Sequence, residues 1–261
     1  MDRLIRALWN VRFRGKVRLL SRFVPRTGLH TARVFGTRIE LDLADYVQRM
    51  MYLGCFEREE TATVIRHLRP GMTFVDAGAN AGYFTYLAAA RVGITGRVCS
   101  IEPDPVLFKK LAGAVAENDL KCVAVRNVAL GREPGELPLF VPPTAHANRA
   151  PTMTPVPGWE EVRVTVCTLD YMLDYAGIAT VDLLKIDVEG YEAEVLAGAM
   201  RAFGEGRVRA VLCEFNDYWL RQQGTTPAAL WQTFVAKGFR AAHPMPDFPA
   251  GSTVNAFFTR V

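Results

Sequence analysis

The sequence has no apolar run of the roughly 18 to 20 residues that a membrane-spanning helix requires. Its first residues also lack the compact apolar stretch and small-residue cleavage site of a signal peptide. The five cysteines form no Cys-x-x-Cys pair, and most fall in strand-like runs, so we expect core residues and neither disulfides nor metal ligands. These absences favour one large globular domain in the reducing cytoplasm.

The net charge of +4 is unevenly distributed along the chain. Residues 1–40 contain ten Lys and Arg residues and only two acids, whereas the rest of the chain is mildly acidic. In the basic segment, apolar residues recur at helical spacing, with Arg14, Arg18 and Arg22 on another face. We therefore predict a basic, partly helical arm over residues 1–45, which either packs on the main domain (46–261) or contacts an anionic membrane surface or a protein partner.

Strand-like and helix-like segments alternate after residue 70. The predicted strands are MTFVDA (72–77), RVCSIE (97–102), KCVAVRN (121–127), VDLLKID (181–187) and VRAVLCEF (208–215). Helical segments predicted at 83–91, 105–117, 169–175 and 191–202 lie between most of them. They indicate βαβ units, and hence an α/β fold with a mostly parallel sheet and helices on both faces. GFRAAH and VNAFFTR, near the end of the chain, are separated by too few residues for a crossover helix, so we expect them to pair antiparallel.

An insertion at about 136–167 separates the third and fourth of these strands. Its flanks, ELPLFV and VRVTVC, are predicted to pair as a hairpin around a long, Pro-rich loop. A long loop without a pattern of its own is typical of a lid or a binding loop. His146 and Arg149 in this loop, and Tyr52 before the first strand, are therefore candidates for contacts with a substrate.

Acids stand at the ends of four predicted parallel strands. They are Asp76, Glu102, Asp187 and Glu214, and Glu189 follows Asp187 by two residues. In an open parallel sheet, ligands bind beyond the carboxyl ends of the strands, near the point where the strand order reverses. Converging acids are costly unless a cationic or hydroxyl-rich ligand lies among them. The sequence therefore predicts a crevice suited to positive charge and hydroxyl groups.

The loop DAGANAG at 76–82 favours one cofactor over another. Its glycines allow a sharp turn and a close approach of a ligand to the backbone. It lacks the Gly-x-Gly-x-x-Gly spacing of dinucleotide sites, and its carboxylate would repel a pyrophosphate. S-adenosylmethionine, which carries an amine and a sulfonium, fits better. Glu102 would then accept hydrogen bonds from the ribose hydroxyls, and Asn127 would either meet the adenine edge or serve as a turn residue.

Several motifs together resemble the FkbM-type S-adenosylmethionine-dependent methyltransferases. They are VDAGANAGYFT, IEPDP, NVALG and DLLKIDVEGYEAEVLAGA, and the resemblance covers about residues 46–261. It implies a Rossmann-like methyltransferase fold of seven strands with a reversed C-terminal hairpin, and methylation of a hydroxyl on a sugar, glycolipid or polyketide-type acceptor. By motif match, the cofactor contacts would be Asp76, Gly78, Asn80, Gly82, Glu102 and Asn127. Tyr83 and Asp187 are further predicted cofactor contacts.

Methyl transfer to a hydroxyl needs a base within hydrogen-bond reach of the acceptor. Asp187 is the first candidate, and Glu189, Glu214 and His146 are others. Lys185 projects to the same face of a buried strand as Asp187, so we expect it to form an ion pair with a nearby acid or to act in catalysis directly.

A Mg²⁺ ion held by Asp187, Glu214 and Asn216 is an alternative that we do not favour, since acids beside a cofactor amine need no metal. The turn Asp187-Val188-Glu189-Gly190 replaces the Asn/Asp-Pro-Pro-aromatic turn of many methyltransferases that act on bases. Acids in the crevice also argue against a nucleic-acid partner. The expected partner is therefore a small hydroxylated acceptor. The alternative function is that of a non-catalytic cofactor-binding module that docks through the basic arm.

Overall fold

The computed structural model describes residues 26–143 and 151–261 of the chain. Its strands are β1 (Leu29–Val34), β2 (Thr37–Asp42), β3 (Thr73–Ala77), β4 (Arg97–Ile101), β5 (Val123–Arg126), β6 (Ala129–Leu130), β7 (Gly135–Val141), β8 (Glu160–Cys167), β9 (Leu183–Ile186), β10 (Ala210–Asn216), β11 (Phe239–Ala241) and β12 (Thr253–Arg260). Its helices are α1 (Tyr46–Leu53), α2 (Arg58–His67), α3 (Tyr83–Val92), α4 (Pro105–Glu117), α5 (Leu169–Tyr175), α6 (Glu192–Ala197), α7 (Met200–Gly204), α8 (Asp217–Gln222) and α9 (Pro227–Ala236).

Seven strands form the central sheet, in the order β11-β12-β10-β9-β3-β4-β5. Strands β5, β4, β3, β9 and β10 run parallel, whereas β12 runs antiparallel to both β10 and β11. The predicted mostly parallel sheet with an antiparallel C-terminal pair is therefore confirmed. The strand order reverses between β3 and β9, because the chain first builds outward through β4 and β5 and later returns to the other edge of β3.

The central strands are buried on both faces, as expected of a parallel sheet covered by helices. Neighbouring residues in β3 and β9 belong to different core clusters, because successive side chains of a strand point to opposite faces. Phe74 and Leu183 pack with α3, while Val75 and Leu184 pack with α5, α6 and α9. The predicted helix at 191–202 is divided into α6 and α7.

The end of the predicted basic arm is a β-hairpin that packs on the domain. β1 and β2 pair antiparallel, and Ala32, Val34, Ile39 and Leu41 are buried in the same core cluster as α3. The sequence predicted an arm up to residue 45, whereas residues 29–42 alternate between buried and exposed positions and join the domain core. Residues 1–25, with the predicted basic helix, lie outside the described residues.

The insertion contains the predicted hairpin of β7 and β8, and β6 adds a third, unpredicted strand parallel to β8. Its return segment is fixed against β7, since Phe140 and Thr152 exchange two backbone hydrogen bonds of 2.8 and 3.0 Å. His146 and Arg149 lie outside the described residues.

Among the helices given above, none has both the length and the apolar composition that crossing a membrane requires.

Candidate active site

A cavity of about 230 Å³ opens at the carboxyl ends of β3, β4, β9 and β10, around the point where the strand order reverses. Its charged lining side chains are Glu57, Glu102, Lys185, Asp187, Glu189 and Glu214. Five carboxyl groups thus face one ammonium group in the described part of the lining. The crevice predicted from the strand ends is present, and it is acidic.

The glycine loop connects β3 to α3 and forms part of the cavity wall. Gly78 has a φ of +85°, and a Cβ there would lie 1.8 Å from the carbonyl oxygen of Asp187. Glycine is therefore required because the ends of β3 and β9 approach each other closely. Gly78 and Asn80 line the cavity, whereas Gly82 does not. A Cβ on Gly82 would lie 2.5 Å from Leu111, so this glycine serves interior packing.

Asp76, a predicted cofactor contact, does not line the cavity. Its side chain lies on the same face of β3 as Phe74, beneath α3, and is only 1% exposed. Oδ2 accepts a hydrogen bond of 2.8 Å from the hydroxyl of Thr85. Burial raises the pKa of Asp76, and Lys185 opposes this shift. The carboxyl group thus belongs to the polar interior behind the cavity wall.

Glu102 lines the cavity at the end of β4, as predicted. Its two carboxyl oxygens accept hydrogen bonds from the backbone amides of Asn80 (2.7 Å) and Asp104 (2.9 Å), which fix its orientation. Burial raises the pKa of Glu102 to about 8. Asn127 does not line the cavity; its side-chain amide donates to the carbonyl groups of Glu102 and Pro103, both at 2.9 Å. The turn interpretation of Asn127 therefore describes its position, and the adenine contact is not supported.

Lys185 forms the ion pair that the sequence predicted. Its Nζ lies 2.6 Å from Oδ2 of Asp187 and 4.7 Å from the centroid of the Phe84 ring. Burial alone would lower the pKa of Lys185, but the carboxyl groups of Asp187, Glu57 and Asp76 together raise it above the usual value. The lysine is therefore charged, and it holds one oxygen of Asp187.

Backbone strain is concentrated at the cavity. Five described residues other than glycine have a positive φ, and three of them line the cavity: Glu57 (+36°), Asn80 (+49°) and Glu189 (+52°). Such a conformation costs of the order of 1–3 kcal/mol for a residue with a long side chain and is commonly retained at functional sites. Burial raises the pKa of Glu57 and that of Glu189 to about 8.

Two glutamates at this site were missed in the sequence. Glu57 has a buried Oε2 without a hydrogen-bond partner among the described residues, and nothing in its local pattern separates it from the acids that follow it in α2. Glu192 accepts hydrogen bonds from the amides of Val188 (3.1 Å) and Gly190 (3.2 Å) and so shapes the turn after β9. The sequence VEGYE gave a weak signal for this role, since an acid close behind a turn can bind its amides.

Glu214, at the end of β10, lines the cavity as predicted. Burial, with Asp187 and Glu189 adding to its effect, raises the pKa of Glu214 well above its usual value. Its Oε2 is buried and has no hydrogen-bond partner within residues 26–143 and 151–261. A polar group of a ligand would satisfy this oxygen.

The aromatic predictions had different outcomes. Tyr83 lines the cavity, and its hydroxyl lies 3.0 Å from that of Thr61. Tyr52 is buried in the core, with its ring 5.9 Å from that of His30, and does not line the cavity. Tyr46, at the start of the same helix, lines it instead. Apolar residues of β6, β7 and the segments beside them also line the cavity: Val128, Ala129, Leu130, Leu139, Pro151 and Met153.

The sequence offered Asp187, Glu214 and Asn216 as alternative ligands for a Mg²⁺ ion. Among the described residues, no group of three or more His, Cys, Asp and Glu side chains is arranged to hold a metal ion. Asn216, one of the ligands considered, accepts a hydrogen bond of 3.2 Å from the amide of Trp219 and so caps α8.

Comparison with known proteins identifies the family. The sequence profile described as the methyltransferase FkbM domain matches residues 76–241, which is more than half of the chain. The chain belongs to the FkbM methyltransferase family. One FkbM relative, the 31-O-demethyl-FK506 methyltransferase FkbM of Streptomyces tacrolimicus, is 32% identical over 186 residues, which cover 59% of this chain and 70% of that protein.

Two further comparisons cover less of the other protein. Methyltransferase 1 of Beauveria bassiana is 30% identical over 142 residues, or 48% of this chain and 57% of that protein. The crystal structure of methyltransferase FkbM from Methylobacillus flagellatus KT superposes with a TM-score of 0.45 and 19% identity, covering 82% of this chain and 55% of the other. The chain thus spans little more than half the length of each of these two proteins.

Proposed function

We propose that this FkbM-family chain binds S-adenosylmethionine and transfers its methyl group to a hydroxyl of a small-molecule acceptor. The observation that carries the proposal is the cavity at the reversal of strand order, lined by five carboxyl groups and Lys185. The methyltransferase relatives support it, and the Streptomyces tacrolimicus relative is named for 31-O-demethyl-FK506 as its acceptor. An acidic cavity suits a cofactor that bears an amine and a sulfonium.

The residues present fit this cofactor. Glu102 faces the cavity with its carboxyl group fixed by two backbone amides, so it can accept hydrogen bonds from ribose hydroxyls without reorienting. The backbone of the loop from Gly78 to Ala81 adjoins it and allows close contact. Unpartnered oxygens on Glu57 and Glu214 provide acceptors for further polar groups. When bound, S-adenosylmethionine would supply a methyl group on a positively charged sulfur.

We assign removal of the acceptor's proton to Glu189. Asp187 was the first candidate in the sequence, but its Oδ2 is bound to Lys185. Burial and the neighbouring Asp187 raise the pKa of Glu189 to about 8, and a general base works best when its pKa lies near the working pH. The remaining residues of the chain would hold the two ligands in line, which contributes much of the acceleration in a displacement reaction.

The test uses S-adenosylmethionine labelled in its methyl group and a panel of hydroxylated sugars, glycolipids and polyketide-type alcohols. Each acceptor is paired with its deoxy analogue. The proposal predicts that label reaches a hydroxylated compound and not its deoxy partner. Glu189→Gln should lower the rate by about 100-fold or more with cofactor affinity retained, whereas Glu194→Gln, at a salt bridge on the exposed side of α6, should not. Label transfer that ignores the hydroxyl would contradict the proposal.

A further inference from the structure

Glu57 occupies a position that local preferences do not explain. It is the residue before α2, where Ser, Thr, Asp or Asn commonly caps the helix. Its side chain makes no capping hydrogen bond, and its backbone is left-handed, with φ +36° and ψ +68°. Glutamate rarely adopts this conformation. The carboxyl group is therefore directed away from the helix that it precedes, and it lines the cavity.

Phe56 and Thr61 link Glu57 to the glycine loop, because both contact Tyr83. The hydroxyl of Thr61 donates a hydrogen bond of 2.6 Å to the carbonyl of Glu57 and lies 3.0 Å from the hydroxyl of Tyr83. The ring of Phe56 lies 5.1 Å from the ring of Tyr83 in an edge-on arrangement. Tyr83 is the first residue of α3, directly after the loop. Glu57 is thus positioned with the cofactor loop.

One carboxyl oxygen of Glu57 has no hydrogen-bond partner among the described residues. Its Oε2 is buried and accepts no hydrogen bond from any described residue. The charged groups that act on it are Lys185, Asp187, Glu60 and Asp76, and the lysine is already bound to Asp187 at 2.6 Å. Burial, opposed by Lys185, raises the pKa of Glu57 to about 8. A cationic ligand group would satisfy the buried oxygen and favour the charged carboxylate.

The position of Glu57 indicates which group of the cofactor it would contact. Glu102 lies at the end of β4 and faces the nucleoside under the proposed function. Glu57 interacts with Lys185 and Asp187, which belong to β9 and its C-terminal end, on the other side of β3. The part of S-adenosylmethionine farthest from the nucleoside is its amino-acid moiety, which carries an ammonium group. We propose that Glu57 receives this ammonium group, an inference that rests on the proposed function.

The test compares two ligands that differ in this moiety. S-adenosylhomocysteine carries the ammonium group, whereas 5′-deoxy-5′-methylthioadenosine lacks the amino-acid part. Calorimetric titration of Glu57→Gln should show roughly tenfold weaker binding of the former and no more than about twofold weaker binding of the latter. Glu59→Gln, a change at an exposed side chain in the first turn of α2 that does not line the cavity, should bind both ligands like the unmodified protein.

A proton measurement separates ligand binding from a structural role. Binding of the ammonium near neutral pH should release a proton from Glu57, so the observed heat should depend on the ionisation enthalpy of the buffer. This dependence should decrease in Glu57→Gln. A second variant, Glu57→Gly, accommodates the positive φ without strain, so its melting temperature should equal or exceed that of the unmodified protein while its affinity for S-adenosylhomocysteine falls.

Three results would overturn the inference. Equal weakening of both ligands would show that Glu57 shapes the cavity as a whole, and unchanged affinity for S-adenosylhomocysteine would show that the ammonium lies elsewhere. If the unmodified, folded protein bound neither ligand, the proposed function would fail together with the inference. The first two outcomes leave cofactor binding by the unmodified protein intact, so the two failures can be told apart.

Discussion

Replacing Lys185 with methionine should destabilise the protein strongly. The Nζ of Lys185 lies 2.6 Å from Oδ2 of Asp187, and the lysine is only 3% exposed. The carboxyl groups of Glu57 and Asp76 also act on it. Methionine has a similar length and can keep the packing against Phe84, so the substitution mainly removes the charge. The acids that surround Lys185 would then have no cation beside them in the described structure.

The size of the effect follows from the burial of this pair. Removing one partner of a buried ion pair costs about 3–5 kcal/mol, because the other charge stays buried without compensation. In a protein of this size, 1 kcal/mol shifts the melting temperature by about 2–4 °C, which gives a fall of about 6–20 °C. Arg209 and Asp182 form a matched pair at 2.7 Å, but the arginine side chain is 65% exposed. Arg209→Met should therefore cost about 1 kcal/mol or less.

Urea unfolding followed by circular dichroism measures both variants under the same conditions. Adding Asp187→Asn to Lys185→Met should recover part of the lost stability, because it removes one of the charges left without a partner. If Lys185→Met lost no more stability than Arg209→Met, the buried ion pair would not be a major contributor, and the electrostatic account of the cavity would be refuted.

Two further predictions concern the glycine loop and the effect of pH. Gly78→Ala should unfold the loop region and abolish cofactor binding, since the new Cβ would lie 1.8 Å from the carbonyl oxygen of Asp187. The control is Gly54→Ala, which is also at a positive φ but has no atom within 4 Å of the new Cβ. It should lower the free energy of unfolding by only about 1–2 kcal/mol, as measured by thermal melting. The ligand-free protein should lose stability in urea unfolding as the pH rises from about 5 to 8. The pKa values of Glu57 and Glu102 are raised from 4.5 to about 8 in the folded state. Below pH 8 the folded protein therefore keeps protons that the unfolded chain has released, and this stabilisation is lost as the pH approaches 8. A rise in stability over this range would contradict these pKa shifts.

Sequence reasoning succeeded where local signals and chain order determine the structure. Helix α4 begins where predicted because Asp104 caps it, accepting a hydrogen bond of 2.8 Å from the amide of Val106, and Pro105 suits the first helical position. The acids at the strand ends meet at one edge because parallel strands all present their carboxyl ends there. Glu102, Asp187, Glu189 and Glu214 were therefore predictable as a group.

The direction of individual side chains was less predictable. Asp76 ends a strand next to the cavity, yet its side chain faces α3, so one position along the strand separates a cavity residue from a buried one. Whether Tyr46 or Tyr52 lines the cavity depends on which face of α1 packs on the core. Glu57 is placed at the cavity by its neighbours Phe56 and Thr61, which both contact Tyr83, a residue that only the folded chain brings to them.

The β-hairpin at 29–42 has a strand pattern within a segment that is also rich in basic residues. Its sequence, LHTARVFGTRIELD from Leu29 to Asp42, alternates apolar and polar residues around a turn at Phe35 and Gly36. Period-two alternation predicts half-buried strands. The high density of arginine in residues 1–40 predicted a basic arm instead, although the alternation at 29–42 is typical of strands.

The central claim is that the acidic cavity is a site for S-adenosylmethionine. Calorimetric titration of the full chain with S-adenosylmethionine and, separately, with NAD tests it most directly, with EDTA present and absent. We expect binding of S-adenosylmethionine with a Kd in the micromolar range, and no binding of NAD. Binding of NAD, or no binding of S-adenosylmethionine by protein whose circular dichroism shows it to be folded, would contradict the claim.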